Sequence, residues 1–191
     1  MNMENFDCIL RLIHVDILGA HIHSRPISPM EKLAITIREV LSSIIKRLGP
    51  LHLAPPTTET WVTNEVGFRN IWNHPHAIGA LDGKHIRIVA ASHKGSTHYN
   101  YKGFHSIVLL AIAAPDYKFA YIDIGAPGSQ SDGGVFSRSS LGINLQNGSL
   151  GIPGLKELGG KQMPHVFLAD DAFALKENLM KPYPGKFLEI S

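Results

Sequence analysis

The sequence IGALDGKHIRIV, at residues 78–89, decides the fold because it marks a change from helical to strand-like sequence. Its apolar residues alternate or run together around Asp82-Gly83, which is typical of a partly buried strand. Two further apolar runs, Phe104 to Ala114 and Tyr117 to Ile124, are joined by Pro115-Asp116. Because this dipeptide favours a tight turn, the two runs predict a β-hairpin.

The segments after the hairpin extend this pattern. A Gly/Ser-rich loop at residues 125–134 leads into a predicted short helix, and Val166 to Ala169 is a predicted buried strand. We expect Asp170-Asp171 to begin a helix over Ala172 to Met180. The order strand, hairpin, helix, strand, helix predicts a mixed α/β sheet.

The first 60 residues are predicted to be helical. Ser28-Pro29-Met30-Glu31 has the pattern of a capping box, and Gly49-Pro50 predicts the end of the helix that it begins. An apolar stripe at helical spacing predicts a packing face, formed by Leu33, Ile37, Val40, Leu41, Ile44, Ile45 and Leu48. A shorter helix is expected from about Glu59 to Trp72, with Trp61, Val62, Phe68, Ile71 and Trp72 on its buried side.

Composition bounds the class of protein. Of the 191 residues, 44% are hydrophobic and 18% are charged, which is typical of a folded, water-soluble chain with one main domain. A formal net charge of +2 is compatible with nucleic acid as a partner but does not require it. A single cysteine, Cys8, excludes an internal disulfide and a cysteine-based zinc site, and it fits the nucleus or cytosol. The longest apolar run, Ile107 to Ala114, is too short to cross a bilayer, so no membrane association is expected.

Three aspartates lie at edges of predicted strands or helices, and each has a structural alternative. Asp82 precedes Gly83 as in many hairpin turns. Asp132, in GSQSDGGVF at residues 128–136, is a typical helix N-cap, and so is either member of Asp170-Asp171.

A functional interpretation requires these carboxylates to converge. If the strands that carry Asp82 and Asp170 are parallel neighbours, both side chains can meet at one end of the sheet. Clustered carboxylates repel one another unless a cation neutralises them, and Mg²⁺ prefers such hard oxygen ligands. Two such ions can activate water and stabilise the leaving 3′ oxygen of a phosphodiester.

Other chemistries find less support in the sequence. It contains no phosphate-binding glycine loop, no nucleophile elbow around a serine and no His-Glu-x-x-His zinc helix. The pairs His21/His23 and His74/His76 are interpreted as surface or core residues.

Four motifs together carry a family resemblance. They are GALDGKH at residues 79–85, YNYKGFHS at 99–106, GSQSDGGVF at 128–136 and LADDAF at 168–173. In order and spacing they resemble the PIF/Harbinger transposases and the nucleases domesticated from them, which are DDE superfamily endonucleases. The similarity extends over roughly residues 30–38 and 51–185, and the chain is identified as a truncated member.

The resemblance implies an RNase H-like α/β fold, a mixed sheet with flanking helices that is incomplete at the C-terminus. It assigns residues 1–60 to a shortened helix-turn-helix-like segment and 61–191 to the nuclease domain. Asp82 matches the first metal carboxylate, and Asp132 and Asp170 match the two further aspartates, so all three are expected to be catalytic and to bind Mg²⁺ or Mn²⁺. Asp170 is favoured as the second catalytic acid because in such folds this residue follows the fourth strand. Asp132 would be an auxiliary ligand or would shape its loop.

The motifs also carry residues that are expected to steer phosphates without being catalytic: Lys84, His85, Tyr101, Lys102 and His105. The family's third acid is a glutamate well beyond the motif at residues 182–185, and Glu189 is too close to replace it. We therefore expect a metal-dependent DNA endonuclease of the nucleus, also present in the cytoplasm, with weak or no activity. The alternatives are an inactive domesticated fragment that binds a Myb-like DNA-binding protein, and a partial gene product without a stable function.

Overall fold

The computed structural model describes residues 3–18, 27–89 and 95–183. The chain forms two compact units, Met1–His52 and Leu53–Ser191. The first unit contains helices α1 (Met3–Ile17) and α2 (Pro29–His52). The second contains α3 (Thr58–Trp72), β1 (Ala77–Arg87), β2 (Ser106–Ala113), β3 (Phe119–Pro127), α4 (Asp132–Arg138), α5 (Ser140–Gln146), β4 (Lys156–Leu158), β5 (Lys161–Met163), β6 (Val166–Leu168) and β7 (Leu179–Met180). The functional division at residues 60 and 61 stays a prediction.

Helix α2 begins with the predicted capping box. The Glu31 backbone N–H donates to Ser28 Oγ at 3.2 Å, and the Ser28 backbone N–H donates to Glu31 Oε2 at 2.9 Å. This reciprocal pair satisfies N–H groups that the first turn of a helix leaves free. Lys32 Nζ donates to the Ile17 carbonyl at 2.7 Å and ties α2 to the end of α1.

The predicted end of α2 at Gly49-Pro50 is wrong, because the helix continues through both residues to His52. Pro50 stands in the last turn, where the missing proline N–H forfeits one hydrogen bond near the frayed end. The predicted packing stripe is also largely wrong. Within the described residues of α2, Leu33 alone is buried, whereas Leu41 and Ile45 are 52% and 70% exposed.

A five-stranded mixed sheet with the order β3-β2-β1-β6-β7 confirms the predicted fold class. β1, β2 and β3 are antiparallel, whereas β6 is parallel to both β1 and β7. The predicted hairpin is β2–β3, and its turn is closed by the Ala114 N–H, which donates to the Lys118 carbonyl at 2.8 Å. β6 is the fourth strand of this sheet along the chain and the parallel neighbour of β1.

Helix α3 covers the sheet with a partly polar face. Trp61 is fully buried, its ring packs edge-to-face on Phe167 at 5.2 Å, and its Nε1 donates to the Leu150 carbonyl at 2.9 Å. The core around this pair comprises Ile78, Leu81, Val108, Leu110, Ile112, Val135, Phe136, Leu141, Phe173 and Leu179. The predicted burial of Trp61 and Phe68 is confirmed.

The prediction was wrong for Val62, Ile71 and Trp72, which are 46%, 61% and 47% exposed. Asn64 and Glu65 take the buried positions instead, because partners on the same helix and far along the chain satisfy their polar atoms. Asn64 Nδ2 donates to the Ile78 carbonyl at 3.0 Å, and Glu65 Oε2 accepts from Arg69 at 2.6 Å and from Lys156 at 3.0 Å.

The helix predicted over residues 172–180 is absent from the described structure. Asp170 Oδ1 accepts from the Ala172 N–H at 3.0 Å, which forms a turn, and the chain then runs into β7. The N–H groups of Phe167 and Ala169 donate to the carbonyls of Asn178 and Met180, each at 2.9 Å. Pairing with β6 therefore overrides the local helical pattern.

Candidate functional site

Asp82, inside β1, and Asp170, just after the end of β6, lie at corresponding positions of neighbouring parallel strands. The register pairs Ala80 of β1 with Leu168 of β6, and each aspartate lies two residues beyond its member of that pair. Since adjacent strands are about 4.8 Å apart, the two backbones lie side by side here. The alternative of a hairpin turn at Asp82 is wrong, because Asp82 lies inside β1 and pairs with Ala111 of β2.

Asp132 reaches the same region from the first residue of α4. The N-cap of this helix is Ser131, whose Oγ accepts from the Gly134 N–H at 3.2 Å, so the alternative role of Asp132 as N-cap is wrong. The Asp132 side chain lies directly over Gly83. A Cβ atom at residue 83 would come within 2.3 Å of Asp132 Cγ, so the site requires glycine beside Asp82.

A second glycine brings α4 against the turn that carries Asp170. A Cβ atom at Gly133 would come within 2.5 Å of the Ala172 carbonyl oxygen. The start of α4 therefore touches the turn after β6 on one side and β1 on the other. Through these two contacts, the structure brings the backbone segments of all three predicted aspartates to one place.

Asp132 is close enough to the other two carboxylates for their charges to act on it. Burial raises the pKa of Asp132 above its ordinary value. The positive charges of the protonated His85 ring and of Lys102 oppose this shift, and the negative charges of Asp82 and Asp170 add to it. Asp132 Oδ1 is buried and has no hydrogen-bond partner within the described residues. A buried acceptor without a donor is unfavourable, and either a proton or a cation would satisfy it.

The other two carboxylates are exposed and lightly bonded. Asp82 Oδ1 accepts from the Gly83 N–H at 2.7 Å, and Asp170 Oδ1 accepts from the Ala172 N–H. In their present conformations, no three His, Cys, Asp or Glu side chains lie close enough together to hold a metal ion among the described residues, 3–18, 27–89 and 95–183. Side-chain rotation would be needed for joint ligation. The donor set of carboxylate oxygens fits Mg²⁺ or Mn²⁺ in its chemistry.

Sequence reasoning missed two residues next to this cluster, Asn100 and Ser106. Asn100 Nδ2 donates to Ser106 Oγ at 2.8 Å, and Ser106 Oγ lies 2.9 Å from His85 Nδ1. Ser106 is fully buried and Asn100 is 3% exposed. In the sequence, the one indication of these hydrogen bonds was a serine, Ser106, at the start of an apolar strand.

The residues expected to steer phosphates lie partly together. The His85 and Tyr101 rings meet edge-to-face at 5.5 Å, and Lys102 Nζ lies 5.3 Å from the Tyr101 ring centre. Lys84 is exposed on β1, and His105 packs on Tyr99 at 5.3 Å. Their role toward phosphates stays a prediction.

The remaining candidate residues lie elsewhere. His76 is buried and stacks on His165 with 5.3 Å between ring centres, in accord with a core residue. His21, His23 and Glu189 lie outside the described residues. None of the helices in the described part of the chain is both long and apolar enough to span a membrane.

Comparison with known proteins identifies one family. The profile of the family described as DDE superfamily endonuclease matches residues 81–189, more than half of the 191-residue chain, and the match includes all three aspartates. No curated protein and no solved structure matches the chain. The mixed sheet, with β6 as its fourth strand beside β1, is the RNase H-like arrangement that the resemblance implied. The chain therefore belongs to the DDE superfamily endonucleases.

Proposed function

We propose that this protein is a transposase-derived DNA endonuclease of the PIF/Harbinger type that hydrolyses phosphodiester bonds with Mg²⁺ or Mn²⁺. The observation that carries the proposal is the position of Asp132. Its Oδ1 is buried without a hydrogen-bond partner among the described residues. Burial raises the pKa of Asp132, and the charges of Asp82 and Asp170 raise it further. Such an accumulation of negative charge is unfavourable in the apoprotein and is relieved when a cation binds.

In this proposal, the three aspartates and Lys102 have different roles. Asp82, Asp132 and Asp170 would hold the cation, and β1, the start of α4 and the turn after β6 would fix its place relative to the DNA backbone. When bound, the cation supplies activation of water and stabilisation of the leaving oxygen. Lys102, whose charge already acts on Asp132, would attract a phosphate to the same place.

Calorimetric titration with Mn²⁺ tests the proposal. We expect Asp82→Asn, Asp132→Asn and Asp170→Asn each to weaken Mn²⁺ binding at least tenfold, because each removes a charged oxygen ligand. Asp171→Asn is the matched control, since Asp171 is the exposed neighbour of Asp170. Nicking of plasmid DNA in Mg²⁺ or Mn²⁺ should be lost in the same three variants. Mn²⁺ binding and nicking that survive both Asp82→Asn and Asp170→Asn would contradict the proposal.

A second candidate function is a catalytically inactive module that binds a Myb-like DNA-binding protein in the nucleus. One observation favours a protein-binding role in general: an apolar groove of about 670 Å³ opens beside β6 and β7 and is lined by none of the three aspartates. Its apolar lining comes from Leu158, Met163, Val166, Leu175, Leu179 and Met180. Absence of Mn²⁺ binding, together with complex formation that Leu175→Asp abolishes, would favour this candidate over the nuclease.

A further inference from the structure

The buried hydroxyl of Ser106 joins His85, beside the candidate site, to Asn100, and the proposed function gives a role to none of these three residues. Ser106 opens β2 and has no exposed surface. Its Oγ has two partners within the described residues, Asn100 Nδ2 at 2.8 Å and His85 Nδ1 at 2.9 Å. The direction of the protons along this chain of three residues decides what His85 can do.

The orientation of the Asn100 amide is fixed by its own loop. Asn100 Oδ1 accepts from the backbone N–H groups of Lys102 at 3.0 Å and Phe104 at 3.2 Å. Because two donors point at this atom, it must be the oxygen, and the nitrogen must face Ser106. Asn100 therefore donates to Ser106 Oγ.

Among the described residues, the hydroxyl proton of Ser106 then has one acceptor, His85 Nδ1. A buried hydroxyl is a donor as well as an acceptor, and its proton needs a partner. Since Asn100 presents N–H to Ser106, the proton must point at His85 Nδ1. A nitrogen that accepts carries no proton, so neutral His85 must carry its proton on Nε2.

We propose that Asn100 and Ser106 are positioning residues that hold His85 as its Nε2–H tautomer, a neutral donor to a DNA phosphate oxygen and not a metal ligand. The phosphate in this statement rests on the proposed function, whereas the tautomer does not. A metal would need a nitrogen lone pair. In His85 the Nδ1 lone pair accepts the Ser106 proton, and Nε2 is protonated. The neighbouring cation site is then left with oxygen ligands alone, which favours Mg²⁺ or Mn²⁺ over Zn²⁺.

Gly128, which has no side chain, leaves room for the Ser106 hydroxyl in its present position. A Cβ atom at residue 128 would come within 2.2 Å of Ser106 Oγ. The Gly128 N–H also donates to the Ser106 carbonyl at 3.0 Å. The loop that leads to Asp132 is thus packed against the same serine that orients His85.

Nitrogen NMR of the imidazole rings tests the tautomer without any need for nuclease activity. The spectra are recorded at about pH 8.5, two units above the ordinary imidazole pKa of about 6.5, where the rings are neutral. The His85 signals are identified by their loss in His85→Gln. We expect the wild-type ring to have a protonated Nε2 and an unprotonated Nδ1. The reverse pattern would overturn the proposal.

The variant Asn100→Asp gives the sharper result. Its carboxylate accepts the Ser106 proton, so Ser106 Oγ must accept from His85, and the tautomer should switch to Nδ1–H. Ser106→Ala is the second variant and should give a mixture of the two tautomers. A pure Nε2–H pattern that persists in folded Asn100→Asp or in folded Ser106→Ala would contradict the proposed chain of hydrogen bonds.

The donor role is tested with two replacements of His85. In His85→Gln the side-chain amide can place an N–H near the position of Nε2, whereas His85→Asn is too short. We expect His85→Asn to bind a fluorescent DNA duplex about tenfold more weakly than His85→Gln, the loss of one hydrogen bond to a charged group. Mn²⁺ affinity should be unchanged in both. Equal DNA affinities of the two variants would refute the donor role. A loss of Mn²⁺ affinity in both variants would show that His85 is a metal ligand.

The outcomes separate this inference from the proposed function. If the protein binds no Mn²⁺ and cuts no DNA while His85 shows the expected tautomer and switch, the nuclease proposal fails and the positioning of His85 stands. If the protein binds Mn²⁺ and cuts DNA while His85 is protonated on Nδ1, the nuclease proposal stands and the proposed positioning of His85 fails.

Discussion

Replacing Asp132 by asparagine should stabilise the metal-free protein while removing its response to metal. The wild-type carboxylate holds a buried oxygen, without a partner in the described part of the chain, near the negative charges of Asp82 and Asp170. Asparagine keeps a side-chain oxygen but carries no negative charge, so the variant relieves the burial of that charge and its repulsion by the other two carboxylates. Such repulsion between half-buried or exposed charges is worth about 1 kcal/mol. We therefore expect Asp132→Asn to gain about 1 kcal/mol at pH 7, or about 2–4 °C in Tm.

The pH dependence has a defined sign. The folded-state pKa of Asp132 is raised, so the folded protein binds this proton more tightly than the unfolded chain does. The wild-type protein therefore loses stability as pH rises from the carboxyl pKa of the unfolded chain to the higher pKa of Asp132 in the folded protein. The advantage of Asp132→Asn should be complete above the folded-state pKa and should vanish once pH falls below the ordinary carboxyl pKa of about 3.9.

Thermal unfolding with and without MnCl₂ provides the assay. Metal at one hundred times its Kd should stabilise the wild-type protein by about 2.7 kcal/mol and reverse the order of the two Tm values. Asp171→Asn, the exposed neighbour of Asp170, should match wild type in both conditions. The reasoning is refuted if Asp132→Asn unfolds at a lower temperature than wild type without metal, or if MnCl₂ stabilises both proteins equally.

Three further predictions follow from contacts described above. Gly83→Ala should displace Asp132, because the new methyl group would lie 2.3 Å from Asp132 Cγ; we expect a loss of about 1–3 kcal/mol in urea unfolding and weaker Mn²⁺ binding by calorimetry. Burial alone would raise the pKa of Glu65, but hydrogen bonds from Lys156 and the His76 N–H and the charges of Lys156 and Arg69 lower it. The stability from Glu65 should thus be present above about pH 4.3, the ordinary glutamate pKa, and be lost at lower pH, and Glu65→Gln should flatten this part of the pH–stability profile; an unchanged profile would contradict the assignment. Ser28→Ala removes the capping box of α2 and should cost about 1 kcal/mol, seen as lower helicity by circular dichroism. The control Ser42→Ala, at an exposed position inside α2, should not lower helicity, because alanine is the better helix former.

The sequence could predict those features that depend on local pattern. The alternation around Asp82 indicated β1, and Pro115-Asp116 indicated the hairpin turn. The capping box at Ser28 depends on residues three apart, so it was also visible. Convergence of Asp82 and Asp170 could be stated as a condition, that their strands be parallel neighbours, and the pairing of Ala80 with Leu168 meets that condition.

The features that were missed depend on partners far along the chain. Glu65 is buried because Lys156, 91 residues away, reaches it, and no local pattern contains that contact. The segment after Asp170 has a helical pattern, yet backbone pairing with β6 extends it. Likewise, the contact of Asp132 with Gly83 joins a helix to a strand 49 residues earlier, and the sequence does not indicate how closely the two backbones approach.

The outermost strand of the sheet, β7, has only two residues, Leu179 and Met180. A strand that short offers a foreign chain few free amide groups, and Pro182 follows with no N–H to donate. At the opposite edge, β3 is interrupted by two register shifts and ends at Pro127. Both edge strands of the described sheet are thus poor templates for pairing with a strand of another molecule. These features disfavour edge-to-edge aggregation at high protein concentration.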